Sequence, residues 1–343
     1  MTIYILTDYK GFFGSKWNSV PYRSGYDQNI LSRLFEQSGY HTEFIPFSEV
    51  NLSDRKWRNA IVLYTSSEEP NLLYKQYIED VILALEIAGA RIIPRFSFLR
   101  ANNNKCFMEL LRQNLSSEYH SSIGARQFGC IEELRLAESS GGIMYPCVVK
   151  SSEGALSRGV YLARNKSELY AAVGRITHGS TLTSILEYLR VFKHKGYVRD
   201  SSNVGKFIIQ TFIPNLKNDW KVIIYGDHFY VLKRHTREGD FRASGSGVNY
   251  QSGIKAEFPH VLWDFVDKFY RTLDVPNLSI DVGYDGERGY IFEFQAIYFG
   301  TSTLIRSNEF YMRSGNNWVS SEKTLNQEEE YVQSIVKFIR ERF

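Results

Sequence analysis

The chain has 343 residues, 43% hydrophobic and 23% charged, which at roughly 100–200 residues per domain predicts two or three domains with cores of their own and excludes disorder. Its 41 Lys+Arg nearly balance 38 Asp+Glu for a net charge of +3, too even to make nucleic acid or an anionic membrane the main partner. Three widely spaced cysteines, Cys106, Cys130 and Cys147, supply neither a disulfide framework nor a zinc cluster, and no uncharged apolar run approaches the ~18–20 residues of a membrane span, so a cytoplasmic protein is expected.

Residues 3–7 form a β-branched run that predicts a strand. Residues 26–39 place Ile30, Leu31, Leu34 and Phe35 at helical spacing before a glycine stop. Residues 41–47 and 59–65 predict strands, 74–88 a helix and 90–94 another strand. Strands alternating with helices predict a parallel sheet with right-handed crossovers, a small Rossmann-like lobe. The lobe lacks the G-x-G-x-x-G turn of a dinucleotide site and is expected to hold a substrate rather than NAD.

Asn102, Asn103 and Asn104 ahead of Lys105 read as a capped helix start over 105–111. A lysine in the first turn opposes the helix dipole, so Lys105 is either solvated or held for an anion bound nearby. Beyond Gly141 the pattern becomes antiparallel: strands over 145–151 and 159–163, a helix over 167–177 and a strand over 206–212. Between them, 185–192 is a helical run, and Lys193, His194, Lys195 and Arg199 read as a solvated basic loop. Strands over 221–225 and 229–234 precede a Gly/Ser-rich loop at 239–253 and a helix over 260–273. A hairpin of strands 278–284 and 290–294 follows, then an amphipathic helix over 327–342.

P-loop, zincin, C-x-x-C and G-x-S-x-G templates are absent, which removes several common chemistries. What remains starts with Lys150, at the end of a strand that enters a small flexible turn containing Ser151, Ser152, Gly154, Ser157 and Gly159. Backbone N–H groups and hydroxyls of such a turn can close over phosphate oxygens while the lysine neutralises them. Glu293 and Gln295 project from one strand face, and Asp281 can sit across the hairpin from them. Two carboxylates and an amide oxygen suit Mg²⁺. Lys221, Arg234 and Arg242, on successive elements, can clamp a transferring phosphoryl group and are the candidate catalytic cations.

In this order the elements resemble the ATP-grasp superfamily over about residues 100–300, most nearly its ribosomal-protein glutamate ligase and D-alanine-D-alanine ligase branches. The resemblance implies ATP contacts from Lys105, from Lys150 and its Ser/Gly turn, and from a hinge, Gln210-Thr211-Phe212-Ile213, whose backbone meets adenine. It further implies that Asp219 takes the ribose hydroxyls, that Arg242 of "G-D-F-R" faces the γ-phosphate, and that Asp281, Glu293 and Gln295 hold one or two Mg²⁺ ions. Thr211 stands where the hinge usually has Glu, Gln295 where the metal site usually has Asn, and Ala296 to Thr301 replace the usual Pro-Gly turn.

The fold so implied is α/β (α+β): a Rossmann-like domain over 1–100, a small subdomain over 101–213 with a phosphate-covering Ser/Gly loop, and a C-terminal subdomain over 214–343 with the Mg²⁺ site, the last two gripping ATP. The implied activity is an ATP-dependent carboxylate-amine ligase working through an acyl phosphate on small-molecule or peptide carboxylate and amine substrates. A phosphotransferase acting on a hydroxyl, or an ATP-binding protein without turnover, are the alternatives. The acceptor, the amine and the oligomeric state stay open, a homodimer among the options.

Overall fold

The computed structural model describes residues 1–15, 25–115, 118–119, 123–154, 159–179, 181–201, 203–236 and 250–343, with the backbone alone at 181–184. These residues form two compact units, Asn103–Asn215 and the combination of Met1–Asn102 with Leu216–Phe343.

The chain opens with β1 (Thr2–Thr7), α1 (Gln28–Gln37), β2 (His41–Pro46), β3 (Ile61–Tyr64), α2 (Leu73–Ile87), β4 (Arg91–Ile93) and α3 (Phe96–Ala101). The four strands pair in parallel in the order β2-β1-β3-β4, the sheet that alternating strand and helix signals predict. Ile3, Ile5, Leu6 and all of β3 are buried, as strands covered on both faces must be. The order reverses between β1 and β3, and such a switch point leaves a crevice beyond the carboxyl ends of the strands. Helix α1 starts where the Asp27 side chain accepts from the N–H groups of Asn29 and Ile30.

The second unit follows with α4 (Lys105–Gln113), β5 (Ala125–Cys130), α5 (Ile131–Ser139), β6 (Cys147–Ser151), β7 (Val160–Ala163), α6 (Lys166–Ile176), α7 (Thr181–Lys193) and β8 (Val204–Thr211). Its sheet is antiparallel in the order β5-β8-β6-β7. Leu134, Val149, Ala163, Leu169, Val173 and Phe207 share its core. Strand β5 escapes sequence reading because only Phe128 of its six residues is buried, so it shows no apolar alternation.

The chain then returns to the first unit with β9 (Asn218–Tyr225), β10 (His228–His235), β11 (Gln251–Ser252), α8 (His260–Leu273), β12 (Asn277–Tyr284), β13 (Gly289–Gln295), α9 (Ser302–Arg306), β14 (Glu309–Ser314), β15 (Asn317–Glu322) and α10 (Gln327–Arg342). The second large sheet runs β13-β12-β9-β10-β14-β15, with β11 added on β10. Helix α10 begins in a capping box between Asn326 and Glu329. Its Val332, Ile335, Val336 and Ile339 pack with Ile3, Ile5, Leu31 and Phe35 in one apolar cluster. That contact is why the first hundred residues and the last third of the chain form a single compact unit. Among the described residues, no helix is long and apolar enough to cross a membrane.

Candidate functional site

In the unit Asn103–Asn215, β6 brings Lys150 to the mouth of its hairpin with β7, in register with Val160 on one side and Ile208 on the other. The next residue, Ser151, donates its N–H to the Gly159 carbonyl at 2.8 Å. Gly159 has φ +71°, and a Cβ there would lie 2.8 Å from the Ser151 Cβ, so only glycine closes the turn without strain. Ser157 lies outside the described residues.

The same turn is bolted to the start of α4. Lys105 is buried; its ammonium donates to the Gly154 carbonyl at 2.9 Å, and its N–H to the Ser152 carbonyl at 2.8 Å. Asn103 Oδ1 accepts the Gly154 N–H at 2.8 Å, and Asn104 Oδ1 accepts the Ser152 hydroxyl at 2.9 Å while capping α4 through Phe107 N–H. A buried ammonium needs its donors satisfied, so this lysine holds the turn's backbone in shape. The three-asparagine cap was visible in the sequence; that two of its members reach some fifty residues along the chain was not.

The hinge sits at the end of β8. Gln210 is buried and donates its amide to Glu109 Oε1 at 2.6 Å, and Glu109 lies 3.3 Å from the guanidinium of Arg112, itself fully buried. Thr211 gives its N–H to the Gly124 carbonyl at 2.9 Å and its hydroxyl to the same oxygen at 3.3 Å. Phe212 and Ile213 leave the sheet half-buried. Glu109 and Arg112 were not singled out in the sequence, because nothing local marks a helix carboxylate that pairs with a strand residue 101 positions away.

The unit containing Leu216–Phe343 gathers the remaining candidates on adjacent strands. Across β9 and β10, Asp219 opposes Arg234, and the guanidinium donates to both carboxylate oxygens, at 2.6 and 2.8 Å. Across β9 and β12, Lys221 opposes Asp281, and across β12 and β13, Asp281 opposes Glu293. Arg234 also reaches Asp281 at 3.0 Å, and Lys221 lies 3.7 Å from it. Gln295, opposite Ser279, donates its amide to Glu293 Oε1 at 3.1 Å. Five of the residues named for chemistry thus touch in one chain of contacts or register, Asp219–Arg234–Asp281–Lys221 and Asp281–Glu293, with Gln295 beside them. Arg242 lies outside the described residues.

Electrostatically this row sets a buried arginine, Arg234, and a half-buried lysine, Lys221, against three acids. Burial disfavours the Arg234 charge, but Asp281 and Asp219 together outweigh it and hold the guanidinium well above its ordinary value. Burial pushes the Asp219 carboxyl up; Arg234 opposes that rise, and the Asp281 charge adds to it. Asp219 therefore presents to its surroundings a carboxylate already bonded through both oxygens to Arg234.

The donor set suits a hard cation. Asp281 and Glu293 stand in register with the Gln295 side chain in contact, and carboxylate and amide oxygens are what Mg²⁺ takes. Among the described residues no group of three or more His, Cys, Asp and Glu side chains is arranged to hold a metal; the set here reaches three only through the Gln295 amide. Arg234 and Lys221 compete with a cation for Asp281.

No protein-family profile matches the chain, and no curated protein matches it. Solved structures do. The ATP-grasp RimK domain protein of Sphaerobacter thermophilus DSM 20745 is 14% identical with a TM-score of 0.51, over 99% of this chain and 100% of that one. The D-alanine–D-alanine ligase of Bacillus anthracis is 13% identical with a TM-score of 0.51, over 100% and 98%. The VanG D-Ala:D-Ser ligase of Enterococcus faecalis is 12% identical with a TM-score of 0.52, over 99% and 98%. The chain shares the ATP-grasp fold of these structures.

Proposed function

We propose that this protein is an ATP-dependent ligase that joins a carboxylate to an amine with release of ADP and phosphate. The observation that carries the reading is the in-register row Lys221–Asp281–Glu293 with Arg234 and Gln295 beside it, on the sheet of an ATP-grasp fold. Phosphoryl transfer asks little covalent chemistry of the protein and much positioning and charge stabilisation. Lys150 and the N–H groups of the turn it opens receive phosphate oxygens. The backbone after Gln210 receives the adenine, its amide side chain being committed to Glu109. Lys221 and Arg234 hold Asp281 in place and contribute positive potential, and Arg242 is the further cation assigned to the transferring group.

Mg²⁺ held by Glu293, Gln295 and Asp281 would neutralise phosphate charge. A carboxylate oxygen attacks the γ-phosphorus and ADP leaves. The amine then attacks the activated carbonyl carbon and loses a proton, and inorganic phosphate departs with the former carboxylate oxygen. Small-molecule and peptide carboxylates are both within this reading.

Hydroxylamine tests it directly. With ATP, Mg²⁺ and a panel of amino-acid and peptide carboxylates, the ligase should trap at least one as a hydroxamate, with ADP and phosphate formed in equal amounts. A stable phosphorylated product with no hydroxamate at any carboxylate tested would replace the ligase with a phosphotransferase, and ATP binding with no ADP formed would leave an ATP-binding protein.

A further inference from the structure

Helix α4 carries two buried charges to which the chemistry above gives no task. Glu109 and Arg112 expose 2% and 0% of their surface. The Glu109 carboxylate is engaged at both oxygens: Oε1 accepts from the Gln210 amide nitrogen at 2.6 Å, and Oε2 lies 3.3 Å from the Arg112 Nε. A carboxylate held against a guanidinium offers acceptors only. It therefore fixes which way round the Gln210 amide sits, because the reverse orientation would press the amide oxygen against a carboxylate oxygen.

That orientation leaves the other end of the amide as an acceptor. Gln210 is 1% exposed, and its Oε1 has no hydrogen-bond partner among the described residues. A buried acceptor left unpaired is costly, and folded proteins seldom keep one without a water or a ligand to meet it. Its place on the sheet says what meets it here. Gln210 stands opposite Val148, and Lys150, two residues along β6, stands opposite Ile208, so Gln210 and the lysine assigned to phosphate share one face of the sheet. Gln210 is one pair farther from the turn, next to the backbone assigned to the base. A nucleotide laid along that face with its phosphates at the turn brings its base to the amide oxygen.

We propose that Glu109 is a positioning residue that turns the Gln210 amide so that the nucleotide site reads an amino group on the base. The inference rests on the nucleotide site of the function proposed above. Adenine carries an amino group at position 6, which donates to Oε1. Hypoxanthine and guanine carry an oxo group there, which sets two acceptors face to face. The site accordingly takes ATP and refuses ITP and GTP, and this discrimination depends on a carboxylate that acts through the amide of another residue.

Calorimetric titration of the full chain with ATP or ITP, with Mg²⁺ and without carboxylate or amine, reads the discrimination apart from turnover. The wild type should bind ATP roughly 30-fold more tightly than ITP, the scale set by one buried acceptor left facing another. In Glu109→Gln the partner offers both a donor and an acceptor, so the Gln210 amide can turn over and ITP affinity should rise until the two nucleotides differ by about threefold. A gain for ITP is a change that general loss of stability does not produce. Gln210→Met tests the same oxygen without disturbing the Glu109–Arg112 pair, and should weaken ATP by about tenfold while leaving ITP nearly unchanged. Equal wild-type affinities, or an ATP-to-ITP ratio unchanged in either variant, overturns the proposal and leaves the ligase reading standing. Discrimination that follows Glu109 in a chain that traps no hydroxamate upholds the proposal and removes the ligase. A chain that binds neither nucleotide overturns both.

Discussion

Arg234 and Asp219 close two parallel hydrogen bonds, 2.6 and 2.8 Å long, across β9 and β10, and the same guanidinium reaches Asp281 on β12 at 3.0 Å. One buried cation therefore links three strands and orients a carboxylate assigned to the metal. Its planar fork suits two carboxylates at once, which an ammonium cannot match.

Removing that cation should be costly. Arg234→Met leaves Asp219 and Asp281 without their shared partner and should destabilise the protein by about 3–5 kcal/mol. Adding Asp219→Leu should recover part of the loss, because the orphaned carboxylate goes with its partner. Urea unfolding of the two variants checks this. Equal stability of wild type and Arg234→Met would mean that the pair contributes nothing net to the fold.

Gly159 isolates the turn proposed to bind phosphate. Gly159→Ala faces both the left-handed backbone, costing about 1–2 kcal/mol, and a 2.8 Å approach to Ser151. ATP affinity should fall by tenfold or more, through displacement of the turn that Lys150 opens. Gly141→Ala is the control, since Gly141 has φ +72° and nothing within 4 Å of an added Cβ. It should carry the backbone strain and leave ATP affinity alone. A similar loss in both variants, measured by nucleotide titration, would point to general destabilisation.

The two metal candidates on β13 should separate. Glu293→Gln removes a charge and should lower turnover by two orders of magnitude or more while changing ATP affinity several-fold at most. Gln295→Asn keeps an amide oxygen and should retain activity, while Gln295→Ala should raise the Mg²⁺ concentration needed for half-maximal rate. If Gln295→Ala leaves that concentration unchanged, Gln295 only positions Glu293, which its 3.1 Å hydrogen bond already does.

Glu328 sets a pH dependence. Burial pushes its carboxyl above the ordinary 4.5, against the opposing hydrogen bond from the Asp27 N–H. The folded chain thus binds this proton more tightly than the unfolded chain does. Its contribution to stability is complete below pH 4.5 and is lost as pH rises through the raised folded value. Glu328→Gln keeps an acceptor for Asp27 and cannot ionise. Its unfolding free energy should fall less than that of the wild type as pH rises from the ordinary carboxylate range toward neutrality. Parallel pH profiles would exclude a raised Glu328.

What the sequence by itself determined was local. Alternating strand and helix periods at 3–93 specify the parallel lobe, because side-chain period and crossover handedness leave few other arrangements. The lysine-glycine hairpin at 147–163, the E-x-Q spacing of Glu293 and Gln295 and the cap at Asn104 were legible for the same reason: each depends on neighbours a few residues away. Tertiary structure alone decided the partners. Lys105 was equally compatible with solvent or an anion until the Gly154 carbonyl came within 2.9 Å. Gln210 read as a hinge residue, yet its amide is spent on Glu109. The edge hairpin β14–β15 left no signal, since an edge strand with exposed residues such as those of β15 needs no apolar alternation. The run at 185–192 was visible as a helix, but its amphipathic pattern is the same whichever side faces solvent. Tertiary structure covered Glu187 with the Tyr197 hydroxyl and the Asp200 N–H of the turn that follows and left Arg190 and the apolar residues of the run exposed.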